Sequence, residues 1–152
     1  MPFVIIQPKD MVELIAPVVQ HAKLVDVRVF EIHGEVLDPA AADELAPIED
    51  LSANLTIGRG EETLIYRLKF NFTVKGKGDE DAVRISLEIG ALFDFPNEGE
   101  PGGDVDSEAL AAFGRTTVQM AVHPYLRSAV ADLTLRLGCP AVTLDLMTLV
   151  EE

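Results

Sequence analysis

Apolar and polar positions change period several times along the chain, and each change marks an element. Val12, Ile15, Val19 and Ala22 recur at helical spacing. Asp10 precedes them as a helix cap, with Glu13 three residues on as its capping-box partner. The spacing predicts a short helix over about 10–22, bent or interrupted at Pro17 because proline brings no amide donor. From Leu24 the period becomes two. Val25, Val27 and Val29 alternate with Asp26, Arg28 and Phe30, which predicts a strand reaching about Gly34.

The stretch from Glu35 to Asp50 has no period. Asp38-Pro39, an alanine run and Pro47 separate Leu37, Leu45 and Ile48 among acidic residues, and a connection this long crosses the structure or carries function. Three further strands follow. Leu51, Ala53, Leu55 and Ile57 alternate with polar residues and end in a turn expected at Gly58-Arg59-Gly60. Leu64, Tyr66, Leu68, Phe70, Phe72 and Val74 share one face of the next strand, and Arg67, Lys69, Asn71, Thr73 and Lys75 the other. After Gly76-Lys77-Gly78-Asp79, the residues Val83, Ile85, Leu87, Ile89 and Ala91 make the returning strand. Short links make these three antiparallel neighbours, with an apolar face and a face that meets water.

The sheet is thus expected over about 23–94. The segment 94–106 reads as a solvated, mobile acidic loop, because six carboxylates and no Lys or Arg lie between Asp94 and Glu108. Asp106 or Ser107 then caps a long helix over about 107–138. Leu110, Phe113, Val118 and Ala121 mark its first part, Pro124 is expected to break it, and Leu126, Val130, Leu133 and Leu137 form a stripe on its second part. Gly138-Cys139-Pro140 ends it, and 140–152 is expected to be an extended tail. The fold class is α+β: one domain over 1–152, with a four-stranded antiparallel sheet and a long broken helix packed on one face.

Composition narrows the function. The 152 residues carry 12 Lys+Arg against 26 Asp+Glu, a formal charge of −14, which speaks against nucleic acid and anionic membranes as partners. Apolar residues make up 48% of the chain, enough for one core without a disulfide or metal staple. The run Met1-Pro2-Phe3-Val4-Ile5-Ile6 is too short for a secretion signal and has no basic residues before it. One cysteine, Cys139, fits a reducing compartment, so the expected location is the cytoplasm.

Catalytic chemistry finds little support. His21, His33 and His123 lack partners at metal-ligand spacing, and Cys139 has none of the surroundings of a nucleophile. Gly58-x-Gly60 and Gly76-x-Gly78 are not followed by a helix, so they are not phosphate loops. No catalytic residue, cofactor or metal is expected. A small α+β enzyme or ligand-binding domain stays open as an alternative, recognisable by a closed pocket around His33 or His123. What the chain has in surplus is apolar surface, which on a soluble protein marks a groove or an oligomer interface.

Three stretches then carry a resemblance. His123-Pro124-Tyr125-Leu126-Arg127, an apolar helix, and Pro140-x-Val142-x-Leu144 are similar to the Phe-Pro-Tyr-x-Arg helix and Pro-x-Leu-x-Leu tail of the SecB family of preprotein-translocase chaperones. Gly90-Ala91-Leu92-Phe93 resembles the end of that family's fourth strand, and the order of elements matches over about Lys23 to Met147. The resemblance implies an ATP-independent holdase, a homotetramer built as a dimer of dimers that keeps unfolded preproteins in apolar grooves. By that analogy the client groove takes Leu37, Leu45, Ile48, Leu51, Leu55, Leu144, Leu146 and Met147. One oligomer interface takes Val25, Val27 and Val29, and the other takes Phe113, Gln119 and Tyr125.

The sequence departs from the export-type pattern at His123, which replaces Phe, and at Glu152, where the family's final helix would begin. The N-terminal helix and the acidic insertion look like the SecB-like chaperones paired with toxin–antitoxin modules, which makes an antitoxin the alternative client. The SecA ATPase is the partner that export-type members imply. Arg84 and Ser86 on the outer face of the last strand speak against it, because those members present acid there.

Overall fold

The computed structural model describes residues 3–151; Met1, Pro2 and Glu152 of the expected domain lie outside them. In chain order the elements are β1 (Phe3–Gln7), α1 (Lys9–His21), β2 (Lys23–Val36), β3 (Ala53–Gly60), β4 (Thr63–Lys75), β5 (Asp81–Asp94), α2 (Ser107–Phe113), α3 (Gln119–Arg136) and β6 (Met147–Glu151). The fold is α+β, as the pattern predicts, with an antiparallel sheet in the order β2-β5-β4-β3. A second sheet of two strands, absent from the sequence reading, pairs β1 with β6 in parallel.

The alternation in β4 and β5 sets the core. Leu64, Tyr66, Leu68, Phe70 and Val74 of β4 and Val83, Ile85, Leu87, Ile89 and Ala91 of β5 are all buried on the inner face, while Phe72 is half-buried. The outer face is polar and paired within itself, with Arg67 to Glu88 at 2.6 Å, Lys69 to Glu31 at 3.5 Å and Arg84 to Glu35 at 2.7 Å. β2 departs from the half-buried strand its pattern suggests. It is an edge strand with two register shifts, and Leu24, Val25, Val29, Phe30 and Ile32 are all exposed.

Both prolines expected to break helices are accommodated. α1 begins one residue before Asp10, which therefore sits in the first turn without capping, and runs through Pro17 to His21. An interior proline costs about 3 kcal/mol. Ile15 and Val18 on either side are buried, and each such side chain returns about 1.5–3 kcal/mol. Pro124 lies inside α3 on its solvent face, where water can substitute for the missing donor. The irregularity comes earlier, in a π-helical turn at Gly114–Val118 that joins α2 to α3 as one long helix over the inner sheet face. A Cβ on Gly114 would stand 2.7 Å from Leu55 and 2.8 Å from the Tyr66 ring, so only glycine lets the helix lie this close to the sheet. The stripe Leu126, Val130 and Leu133 faces the core, and Gly138, at φ +80°, ends the helix.

One loop expectation is corrected and a second is refined. β3 runs through Gly58-Arg59-Gly60, and the hairpin turns at Glu61–Glu62, with Gly60 opposite Thr63 and Glu62 at φ 54°. The acidic loop after β5 is solvated, with Glu98, Glu100 and Asp104 exposed, but it is tied to that hairpin. The Arg59 guanidinium donates to Pro96 O at 2.7 Å and Gly103 O at 2.9 Å and lies over the Phe95 ring. The Glu62 amide donates to Asn97 Oδ1 at 2.6 Å. Arg59→Ala removes the donors of two carbonyls and is expected to cost about 2–4 kcal/mol. Arg59→Lys should recover only part of it, because an ammonium lacks the planar fork. Thermal denaturation checks both, and an unchanged melting temperature for the alanine variant would contradict the clamp.

Candidate functional site

The long helix holds the chain that follows it through three side chains. Thr134 Oγ1 accepts the Val142 amide at 3.0 Å, Arg127 Nε donates to Leu144 O at 2.7 Å, and His123 Nε2 lies 2.7 Å from Asp145 O. A carbonyl only accepts, so His123 Nε2 is the donor. Nδ1 of the same ring is buried without a hydrogen-bond partner. The tail expected to be extended therefore lies along the helix, with Val142 and Leu144 in the core and Leu146 turned out to solvent, before β6 meets β1.

Between this ribbon, β3 and the helix is a cavity of about 580 Å³. Its walls are Phe3, Val4 and Ile5 of β1, Leu51 and Ser52 just before β3, Ala53 and Leu55 in it, Gly114, Arg115 and Gln119 on the helix, and Met147 of β6. Leu68 forms part of the floor, and Glu49 and Asp50 stand on the rim. The surface is apolar below and charged at the edge, which suits an extended peptide better than a reacting small molecule.

Of the groove residues inferred from the sequence, Leu51, Leu55 and Met147 come together in this cavity. Leu45 and Ile48 line neighbouring depressions along the crossover, with Leu45 bridged to Gly76. Leu37 is exposed beyond the end of β2, Leu146 is exposed on the tail, and Leu144 is buried in the core. Of the interface residues, Val25 and Val29 are exposed and Val27 half-buried on the free edge strand. Tyr125 is exposed on α3 and Gln119 is half-buried beside the cavity. Phe113 is a core residue, packed against Phe93 at 5.4 Å and Tyr66 at 5.7 Å between ring centres.

Phe3, Ile5 and Arg115 also line the cavity; nothing local tells the apolar run at Phe3–Ile6 that its partner lies at the other end of the chain, and Arg115 has no sequence signal of its own. The Tyr66 phenol, pushed well up by burial and only partly offset by Arg59, donates to Leu110 O at 2.8 Å. It is a structural group. Among the described residues no three His, Cys, Asp or Glu side chains stand at metal-binding distance. No helix among them is long and apolar enough to cross a membrane.

No family model matches the chain. Two curated relatives do, SecB-like chaperone Rv1957 of Mycobacterium tuberculosis H37Rv and SecB-like chaperone MT2006 of M. tuberculosis CDC 1551. Each is 40% identical over 70 residues, 45% of this chain. The match spans 38% of the length of those relatives. Among solved structures, the M. tuberculosis Rv1957 SecB-like chaperone in complex with a ChAD peptide from the Rv1956 HigA1 antitoxin superposes with a TM-score of 0.74 at 26% identity. That superposition covers 90% of this chain and 97% of the other. The fold is SecB-like.

Proposed function

We propose that the protein is an ATP-independent chaperone that holds extended, non-native polypeptide in the apolar groove between β3, the long helix and the β1–β6 ribbon. The observation that carries this reading is the SecB-like fold along nine-tenths of the chain, shared with a chaperone solved with a bound peptide. The groove adds a physical reason. Apolar walls formed by Leu51, Leu55 and Met147 accept many side chains, and an extended client brings its own backbone bonds, so affinity requires no single sequence. The charge of −14 keeps a protein with exposed apolar surface in solution.

Among clients, an antitoxin has specific support, because the structurally similar chaperone is bound to an antitoxin peptide. A small toxin–antitoxin pair encoded beside this gene would favour that client over unfolded preproteins. Export through SecA has no comparable support, since the outer-face cations that would have to yield to an acidic surface are engaged in ion pairs. Assembly into a dimer of dimers belongs to this reading; the exposed apolar edge of β2 supports one interface, and the exposed Tyr125 and half-buried Gln119 on α3 support the other. The cytoplasm is the compartment where such clients are met.

Light scattering of an aggregating unfolded protein, with increasing amounts of this chain and no nucleotide, tests the function. Suppression that saturates at a fixed stoichiometry is expected. Undiminished aggregation, with an antitoxin peptide also failing to bind, would overturn it.

A further inference from the structure

We propose that β1 is a built-in occupant of the groove and that a client strand takes its place beside β6. This inference rests on the chaperone reading above and concerns how the same site is regulated. Phe3, Val4 and Ile5 form a wall of the cavity that Leu51, Leu55 and Met147 also line, so part of the apolar groove is filled by the protein's own strand. β1 lies parallel to β6 in register Phe3↔Met147 through Gln7↔Glu151, and the Phe3 amide donates to Leu146 O at 2.8 Å. It therefore already does what an extended client would do.

The seat is weak by construction. A two-stranded ribbon is marginal without further support, and parallel pairing is slightly less stable per residue than antiparallel. Phe3, Ile5 and Gln7 turn inward, but Val4 and Ile6 are 53% and 55% exposed and gain little from docking. Pro8 joins β1 to α1 in an extended conformation, φ −63° and ψ 157°. It has no amide donor to lose, and its carbonyl stays with α1 by accepting the Met11 amide at 3.0 Å, so the pivot for β1 lies on the N-terminal side of Pro8. On the sheet and helix walls Leu68 and Gly114 are buried, and the half-buried Leu51, Ala53 and Leu55 pack against the same core, so these walls have contacts of their own besides β1.

The strand also serves as a template for what replaces it. Phe3 meets the buried His123 ring edge-on at 5.5 Å, Ile5 points to the cavity, and Gln7 is 5% exposed. A preferred client segment is extended, with an aromatic residue in the place of Phe3 and a branched aliphatic residue two positions on. Exchange lowers the apparent affinity of the intact protein by the fraction of molecules with the groove open.

The test uses the full chain and a fluorescent probe, reduced and carboxymethylated α-lactalbumin. The double variant Phe3→Ala, Ile5→Ala loosens β1 and is expected to bind the probe roughly tenfold more tightly than the wild type. Equal or weaker binding by a folded variant would overturn the exchange while leaving the chaperone reading intact. Amide hydrogen exchange of the wild type provides a second measurement that needs no variant. Saturation with the probe should strip protection from the β1 amides and leave the β6 amides protected. Binding with β1 still protected, or with both strands exposed, contradicts the exchange alone. No binding of the probe by either protein overturns the exchange, and if aggregation is also undiminished and an antitoxin peptide fails to bind, the chaperone reading goes with it.

Discussion

Replacing Phe113 with Ala is expected to lower the unfolding free energy by about 3–5 kcal/mol, the usual cost of deleting a buried aromatic ring. Phe113 is 2% exposed, and its ring closes a cluster with Tyr66 and Phe93 directly under the π-helical turn. The glycine beside it, Gly114, already brings the helix as near to the sheet as it can come, so the backbone cannot sink to fill the void. The cost should therefore lie near the top of that range, with a fall in melting temperature on the order of 10 °C. Urea unfolding at several protein concentrations checks the location. A loss of stability independent of concentration places the ring within one chain, and a loss that grows on dilution would place it between subunits.

Replacing Leu55 with Asp is expected to weaken binding of an unfolded probe by roughly a hundredfold or more, because a carboxylate would face apolar client atoms inside the groove. Leu55 is half-buried on the cavity wall, so the new charge reaches water in the empty protein and the fold survives. Leu144→Asp makes the contrast. Leu144 is 1% exposed, and a carboxylate there has no route to solvent, so unfolding and loss of binding should arrive together. Circular dichroism and fluorescence anisotropy on both variants separate the two effects. A folded Leu55→Asp protein that binds as the wild type does would remove Leu55 from the site.

The inner layer was legible because its signal is local. Six alternating apolar positions in β4 and five in β5 admit one arrangement with a single buried face, and the stripe Leu126, Val130, Leu133 fixes which side of α3 lies on it. The failures share a cause in tertiary contacts that override local preference. Gly58 and Gly60 suggest a turn, but they remain in β3, and Glu62 takes the left-handed conformation because Asn97 and the Phe95 amide bind its backbone. Pro17 and Pro124 suggest breaks, but burial on either side of Pro17 and solvent around Pro124 make them tolerable. The acidic loop looks unattached because Arg59, which ties it down, lies more than thirty residues earlier.

The candidate site was legible only in part, for the same reason. Leu51, Leu55 and Met147 follow from a resemblance in the order of elements, and the structure brings these three to one cavity. The β1 wall was invisible because β1 pairs with a strand some 140 residues away, and a short apolar run has no periodicity that could announce it. The exposed edge of β2 could be read as a strand but not as an edge, since strand order is a property of the folded sheet.

Site-specific photo-crosslinking tests the central claim most directly. A photoreactive amino acid at Ser52, exposed at the mouth of the cavity, is paired with a control at Asn71, exposed on the outer sheet face. With an unfolded probe protein, crosslinks are expected from position 52 and not from 71, and they should vanish when the probe is folded. Crosslinks from position 71 alone, or equal yields with the folded probe, would contradict a peptide-holding groove between β3 and the long helix.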